Sequence, residues 1–157
     1  MADFILKCFK ILPLLILISC SGGEVDNFSI FETFDDDGIL PQRWYTLDIG
    51  REFSKNLPEP VKYNVDLNVR YTKNYPYENL MLDIEETGCS SDTLLKSSIT
   101  IPLYSKGDKT KYNGYGLYET TYHLHSAFPI DSLYIFNFCT PVEKCEGIKS
   151  VGIVLKK

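Results

Sequence analysis

The chain has 157 residues, of which 44% are hydrophobic and 13% aromatic, and it carries 16 basic and 21 acidic side chains. A chain of this length predicts a single domain with one hydrophobic core. The formal net charge of −5 and the lack of any basic cluster except Lys156 and Lys157 exclude nucleic acid as an expected partner, because phosphate binding needs clustered positive charge.

The N-terminus has the features of a secretory signal. Lys7 and Lys10 precede an apolar run over residues 11–18, which is the order of charge and hydropathy in a signal peptide. The run is too short for a transmembrane helix, which needs about 20 apolar residues. We therefore predict a signal peptide over residues 1–19.

The residue after this segment predicts a lipid anchor. Ser19 and Cys20 end the apolar run in the arrangement of a bacterial lipobox, in which the cysteine thiol receives a diacylglycerol; the alternative is ordinary signal cleavage without a lipid. Each buried CH₂ of an acyl chain contributes about 0.8 kcal/mol, and stable anchoring takes two chains. We predict lipidation of Cys20, a tether over residues 20–29 and a folded domain over residues 30–157, held in the cell envelope at the periplasmic face of the outer membrane.

The remainder of the chain shows strand patterns. Apolar side chains occupy the odd positions from Val61 to Tyr71 and polar side chains the even positions, a period of two that is typical of a strand with one solvated face. The best helical alternative is a single turn near residues 91–96. We therefore predict an all-β fold, a two-sheet antiparallel β-sandwich of jelly-roll or Greek-key type with about eight strands. The other candidate strands cover residues 29–34, 44–49, 80–85, 99–104, 117–124, 132–139 and 151–155.

Three cysteines remain after the signal peptide and Cys20, namely Cys89, Cys139 and Cys145. An oxidising envelope favours a disulfide. Cys139 and Cys145 flank a short loop and form the candidate disulfide, while Cys89–Cys139 is the alternative pairing. A zinc site is disfavoured because the chain has no Cys-x-x-Cys pair.

Two motifs suggest metal ions but are better explained without them. His123 and His125 would share a face on a regular strand and could meet one metal, yet no third ligand is set by their spacing. The acidic run at residues 35–38 ends in a glycine turn but lacks the ligand spacing of a calcium loop. We predict two surface histidines, a solvated acidic turn and no bound metal.

No catalytic motif is present in the sequence. Residues 114–116 read Gly-Tyr-Gly but lack the third glycine and the following helix of a phosphate-binding loop. The chain also has no Gly-x-Ser-x-Gly nucleophile motif. We therefore predict that the protein is not an enzyme and needs no cofactor.

The aromatic residues raise the alternative of a binding platform. Aromatic side chains fill sandwich cores, but they also make rigid interface anchors. Pro76 holds the preceding residue extended and interrupts any sheet ladder, so its segment is the best candidate for an exposed group. The candidate binding surface is Tyr71, Tyr75, Pro76 and Tyr77; the other members of the aromatic set are Trp44, Tyr112, Tyr115 and Tyr118.

Several short segments together resemble one family. The most specific is Asn-Tyr-Pro-Tyr-Glu-Asn-Leu at residues 74–80, which follows a strand that carries Arg70. Weaker matches are Asp-Thr-Leu at 92–94, Gly-Tyr-Gly-Leu-Tyr-Glu at 114–119 and Gly-Ile-Lys-Ser-Val-Gly-Ile at 147–153. With the lipobox in its expected place, the chain resembles the gliding-motility lipoproteins of the GldH family.

The resemblance implies a role and a location rather than a reaction. Lipoproteins of this family belong to the gliding machinery, which is coupled to a protein-secretion system of the outer membrane, and no enzymatic activity is assigned to them. We therefore expect a non-enzymatic accessory of that machinery, whose partners are the membrane, through the lipid on Cys20, and other envelope proteins. The alternative function is an envelope glycan-binding module.

The resemblance also implies a modification. In the bacterial group in which such lipoproteins occur, the order Asp, hydroxyl residue, apolar residue is an O-glycosylation acceptor in exported proteins. The chain has this order at residues 92–94 and 131–133. Thr93 and Ser132 are therefore candidate glycosylation sites.

Overall fold

The structure, a computed structural model, describes residues 27–53, 61–88, 94–103, 111–112, 116–142 and 145–157. Within these residues the chain forms nine β-strands and one short helix. In chain order they are β1 (Asn27–Thr33), β2 (Tyr45–Asp48), α1 (Ile49–Phe53), β3 (Val61–Thr72), β4 (Asn79–Thr87), β5 (Leu95–Pro102), β6 (Lys111–Tyr112), β7 (Leu117–Ile130), β8 (Ile135–Cys139) and β9 (Ile148–Lys156).

The strands form two antiparallel sheets that enclose one core. The first sheet has the order β1-β9-β3-β7-β6 and the second has the order β2-β8-β4-β5. The chain changes sheet from β1 to β2, from β2 to β3, from β3 to β4, from β5 to β6, and again on either side of β8. This arrangement confirms the predicted all-β, two-sheet antiparallel sandwich.

The observed elements differ from the predicted ones mainly at their ends. Each of the eight candidate strands overlaps an observed strand, and β1 takes in the last residues of the predicted tether. The two-residue β6 and the helix α1 were not predicted. Asp48 caps α1, because its Oδ1 accepts a hydrogen bond from the backbone N–H of Arg51 at 3.0 Å. Among the described residues no helix is long and apolar enough to cross a membrane.

The core lies between the sheets because each strand turns alternate side chains inward. Val65, Leu67 and Val69 of β3 are fully buried, as their alternation predicted. They belong to one apolar cluster that includes Leu82 of β4 and Phe138 of β8. Burying a side chain of this size contributes about 1.5–3 kcal/mol, so the inward set fixes which face of each strand remains for other roles.

Two register shifts interrupt the pairing of β3 with β7, one between Tyr63 and Val65 and one between Val65 and Asp66. Asp66 lies opposite His123, whereas Val65 lies opposite His125, so Leu124 is the extra residue. Val65 faces the core and Asp66 faces outward. His125, opposite Val65, therefore faces inward, and His123, opposite Asp66, faces outward. The expectation that His123 and His125 share a face is therefore wrong, because it assumed a regular strand.

Two glycines allow a close crossing beside the core. A Cβ on Gly38, whose φ is +69°, would lie 1.9 Å from the carbonyl oxygen of Cys145, and one on Gly147, whose φ is +90°, would lie 2.5 Å from the backbone nitrogen of Tyr75. Only glycine combines this φ with this lack of space. The turn at residues 145–147 is thus held between the acidic turn and the Tyr75 segment.

Candidate functional site

The two cysteines of the predicted disulfide are free, buried thiols. Cys139 alternates with the inward-facing Phe138 on β8 and lies opposite Asp83 on the outer side of the sheet. Cys145 instead lies inside, with its Sγ 3.5 Å from the Oγ1 of Thr140. The Cys139–Cys145 disulfide is therefore absent, because the two side chains are on different sides of the sheet.

The environment of each thiol keeps it protonated. Burial raises the pKa of Cys139, and the carboxylates of Asp83 and Glu85 raise it further. Burial also raises the pKa of Cys145, although hydrogen bonding with Thr140 and Tyr75 partly offsets this. Thiolates are the reactive form of cysteine, so both environments fit structural roles. Cys89, of the alternative pairing, lies outside the described residues.

Two of the four residues of the candidate binding surface are buried. Tyr71 is 2% exposed and Tyr75 is 8% exposed, whereas Pro76 is exposed and Tyr77 is 48% exposed. The hydroxyl of Tyr71 donates to the carbonyl oxygen of Leu103, and that of Tyr75 donates to the carbonyl oxygen of Asn79 at 3.0 Å. Burial raises the pKa of Tyr75 above its usual range. Only Pro76 and Tyr77 of the predicted set remain for a surface.

Of the predicted modification sites, Ser132 lies among the residues that the structure describes. Ser132 lies in an exposed turn, where the Oδ1 of Asp131 accepts a hydrogen bond from the backbone N–H of Leu133 at 2.9 Å. Thr93 and Cys20 lie outside the described residues. Glycosylation of Thr93 and Ser132 and lipidation of Cys20 stay predictions.

His123 is part of a polar network on the outer face of the five-stranded sheet. Its Nδ1 is 2.8 Å from the Oδ1 of Asp66 and its Nε2 is 2.8 Å from the Oγ of Ser126. Lys156 donates from its Nζ to the Oδ2 of Asp66 at 2.7 Å. Burial acts to raise the pKa of Asp66, but the bonds from Lys156 and His123 outweigh it and lower that pKa. The network joins β3, β7 and β9.

The order carboxylate, imidazole, hydroxyl is also that of a nucleophilic relay. Acyl transfer needs backbone N–H donors aimed at the developing oxyanion. The N–H next to the hydroxyl, that of Ala127, already donates to the Oδ1 of Asn64 at 3.3 Å. The His123 side chain is also half-exposed to solvent. The geometry therefore fits a structural network better than a catalytic one.

Two rows of the same outer face extend the network. Arg70 donates from its Nε to Glu119 at 2.8 Å, and its guanidinium lies 4.3 Å from the ring centre of Phe31. Asn68 donates to Glu119 at 3.3 Å and accepts from the Oγ1 of Thr121 at 2.6 Å. These polar side chains bond to one another, so they tie neighbouring strands together.

His125 takes part in a separate, partly buried cluster, whereas the sequence predicted a surface histidine. Its Nε2 is 2.9 Å from the carboxylate of Glu86, which also accepts a hydrogen bond from the hydroxyl of Tyr134 at 2.6 Å. Phe128 stacks on the imidazole with ring centres 4.3 Å apart. A buried carboxylate is costly unless it is hydrogen-bonded, and these partners meet that need. The cluster joins β4 of one sheet to β7 of the other.

The outer face of the four-stranded sheet has a different character. Asp83 of β4 lies opposite Cys139 of β8 and Ser98 of β5. The register of β2 with β8 brings Trp44, just before β2, level with Cys139. These side chains form one row across four strands, and a groove of about 460 Å³ runs along it. The groove is lined by Trp44, Asp83, Ile84, Glu85, Lys96, Ser97 and Ser98.

Side chains around the groove are held by local contacts. The Oγ of Ser98 donates to the Oδ1 of Asp83 at 2.5 Å, and Lys96 pairs with Glu85. The sequence pattern could have pointed to Asp83 and Glu85, because they alternate with apolar residues along β4. It could not have shown that Trp44 lies on the same face, because that depends on the order of strands in the sheet.

Within the described ranges, no three side chains of His, Cys, Asp or Glu come together as a set that could hold a metal ion. His123 and His125 contact different carboxylates, those of Asp66 and Glu86. The carboxylates of the acidic turn include Asp36, which pairs with Lys149 at 2.6 Å, and this bond lowers the pKa of Asp36.

Comparison with known proteins gives one family and no curated relative. Residues 39–155 match the GldH lipoprotein family, and no curated protein matches the chain. Among solved structures, the chain is similar to Eiger TNF from S. frugiperda, at 11% identity over 86% of this chain and 88% of that one, with a TM-score of 0.36. It is also similar to Tobacco streak virus coat protein, at 7% identity over 87% and 90%, with a TM-score of 0.33. Structural similarities this low carry no conclusion about function.

Proposed function

Because the chain belongs to the GldH lipoprotein family, we propose that it is a non-enzymatic accessory of the gliding motility machinery and its associated protein-secretion system. Family membership indicates a lipid-anchored protein of the cell envelope. The observation that carries this proposal is the family match over residues 39–155, which includes most of the sandwich. The protein would act by contact with other envelope proteins.

The anchor we propose is the diacylglycerol on Cys20, at the periplasmic face of the outer membrane. Cys20 is seven residues before Asn27, where β1 begins. An extended chain spans at most about 3.5 Å per residue, so the tether would keep the sandwich within about 25 Å of the membrane. A contact surface on the domain would then meet only partners close to that membrane.

Three exposed leucines support a protein contact at one end of the four-stranded sheet. Leu133 is 70% exposed, and Leu94 and Leu95 are also exposed. Leu95 lies opposite Glu86 near the end of β4, and the backbone of Leu133 abuts Gly88 just past that end. We call these three residues the leucine rim. Grouped exposed apolar side chains are typical of protein interaction sites.

Pull-down from membranes tests this function. The full chain should recover envelope proteins that a Cys20→Ala variant does not, because the variant leaves the membrane surface. Leu133→Glu should lose those proteins while remaining folded, since the side chain is in an exposed turn. Ser29→Glu is the matched control, because it adds the same charge at an exposed position of β1. Recovery of no envelope protein above the Cys20→Ala background would contradict the proposal.

A further inference from the structure

We propose that the groove on the outer face of the four-stranded sheet binds a neutral oligosaccharide, with one sugar ring stacked on Trp44. This site is distinct from the leucine rim and from the aromatic segment at residues 71–77. It is lined by Trp44, just before β2, and by residues of β4 and β5. The inference does not depend on the role of the protein in motility.

The groove lies between Trp44 and the residues of β4 and β5 that line it, and its volume is about 460 Å³. On β8, the residue opposite Asp83 is Cys139, whose side chain is buried. The indole of Trp44 is therefore one wall of the cleft, and the other wall includes Asp83 and Ser98.

The walls combine the two kinds of contact that a sugar needs. Trp44 is 46% exposed, so much of the indole is open to solvent, although rings of this size usually bury most of their surface. The apolar face of a pyranose can cover such a ring. On the opposite wall, Asp83 accepts one hydrogen bond from Ser98, and a carboxylate has lone pairs for further donors. Sugar hydroxyls are donors of the required kind, and bonds to a charged acceptor are the stronger ones.

The charges favour a neutral ligand. The groove has the carboxylates of Asp83 and Glu85 against the single ammonium of Lys96, which already pairs with Glu85. An anionic polymer would meet a net negative wall without a free cation among these lining residues. A sugar without charged groups meets no such repulsion, so we commit to neutral hexose or N-acetylhexosamine chains.

The dimensions fit a short chain of sugars. Adjacent strands lie about 4.8 Å apart, which is close to the length of one pyranose ring along a glycan. The row runs from Trp44 before β2 to Ser98 on β5, across four neighbouring strands. Two to three sugar units would therefore span the groove, with about one unit per strand spacing.

The single tryptophan of the chain makes this site directly observable, because Trp44 is the only indole. The full chain, purified in a zwitterionic detergent without a sugar headgroup, would be titrated with neutral hexaoses of glucose, mannose and N-acetylglucosamine. Indole emission should shift to shorter wavelength with a saturable dependence on at least one of them. Oligogalacturonate serves as the charged probe and should give no shift.

Variants connect the signal to the groove. Trp44→Ala should weaken binding by about tenfold or more, measured by calorimetry, because it removes the stacking surface. Asp83→Ala should weaken binding by about tenfold through loss of a charged acceptor. Tyr77→Ala, which removes another exposed ring away from the groove, and Leu133→Glu, which disrupts the leucine rim, should bind within about twofold of the parent chain.

Three outcomes would overturn the proposal. The first is that none of the neutral hexaoses binds, and the second is that binding is unchanged in Trp44→Ala. The third is that only the charged oligosaccharide binds. Loss of sugar binding in Asp83→Ala with normal recovery of envelope proteins would support the groove separately from the proposed contact function.

Discussion

The outer faces of the two sheets both result from strands that alternate inward and outward side chains, but the outward side chains have different partners. On the five-stranded sheet, His123 and Lys156 both bond to Asp66, and Arg70 bonds to Glu119 in the next rows. On the four-stranded sheet, an exposed indole stands beside an open groove. A strand residue that faces outward can therefore either join strands or remain available to a ligand, and the partners across the strand decide which.

The largest expected difference between the faces is in stability. Asp66→Ala should lower the free energy of unfolding by about 2 kcal/mol, because it removes two charge-assisted bonds to a buried carboxylate. Asp83→Ala should change it by less than about 0.5 kcal/mol, since that carboxylate has one serine partner on an open face. Midpoints of urea unfolding measure both. Equal losses in the two variants would show that the faces do not differ in this way.

The pH dependence of stability sharpens the same contrast. The pKa of Asp66 is lowered in the folded state from its ordinary value of 3.8, so its stabilising contribution is complete above that value and is lost as pH falls through the lowered folded pKa. The gap in unfolding free energy between the parent chain and Asp66→Asn should be largest near neutral pH and should close in strong acid. A gap that stays constant to the lowest accessible pH would argue against the network as its cause.

Filling the groove should change binding more than stability. Ser97→Leu would place a larger side chain in the lining of the groove. Because Ser97 is exposed, we expect a change in unfolding free energy of about 0.5 kcal/mol or less, together with loss of the emission shift caused by neutral hexaoses. Ser97→Ala, which keeps the side chain small, is the control and should retain the shift. Retained binding in the leucine variant would place the ligand elsewhere.

The smallest expected effect concerns thiol chemistry. Burial raises the pKa values of Cys139 and Cys145, so alkylation of the native chain near neutral pH should be slow at both. Cys139, on the outer side of the sheet, should react before Cys145, which is fully buried. Peptide mass spectrometry after timed iodoacetamide treatment measures the order. Reaction of Cys145 first would contradict its inward position.

Several features could be predicted because they depend on residues that are close in the sequence. The alternation from Val61 to Tyr71 predicted β3 and its inward set, and the buried Val65, Leu67 and Val69 agree with it. Family membership was predicted from short linear segments, of which residues 74–80 were the most specific. Both kinds of signal are local, so no knowledge of the neighbouring strand was needed.

Other expectations failed where a distant strand decided the outcome. The prediction of an exposed surface over residues 71–77 was wrong for Tyr71 and Tyr75. Both hydroxyls donate to backbone carbonyl oxygens, and both rings pack in the core. His123 and His125 were predicted to share a face, but one extra residue in β7 places their side chains on different faces. In each instance the local pattern was compatible with both outcomes.

The sequence by itself determined the strands, the apolar inward set, the family and the predicted lipobox at Cys20, because each is written in neighbouring residues. Only the tertiary structure decided which outward side chains meet. Trp44, Asp83, Ser98 and Cys139 come from four separate segments, and the strand order β2-β8-β4-β5 brings them into one row. The physical reason is that a period of two fixes which face a side chain is on, whereas strand order and register fix its neighbours.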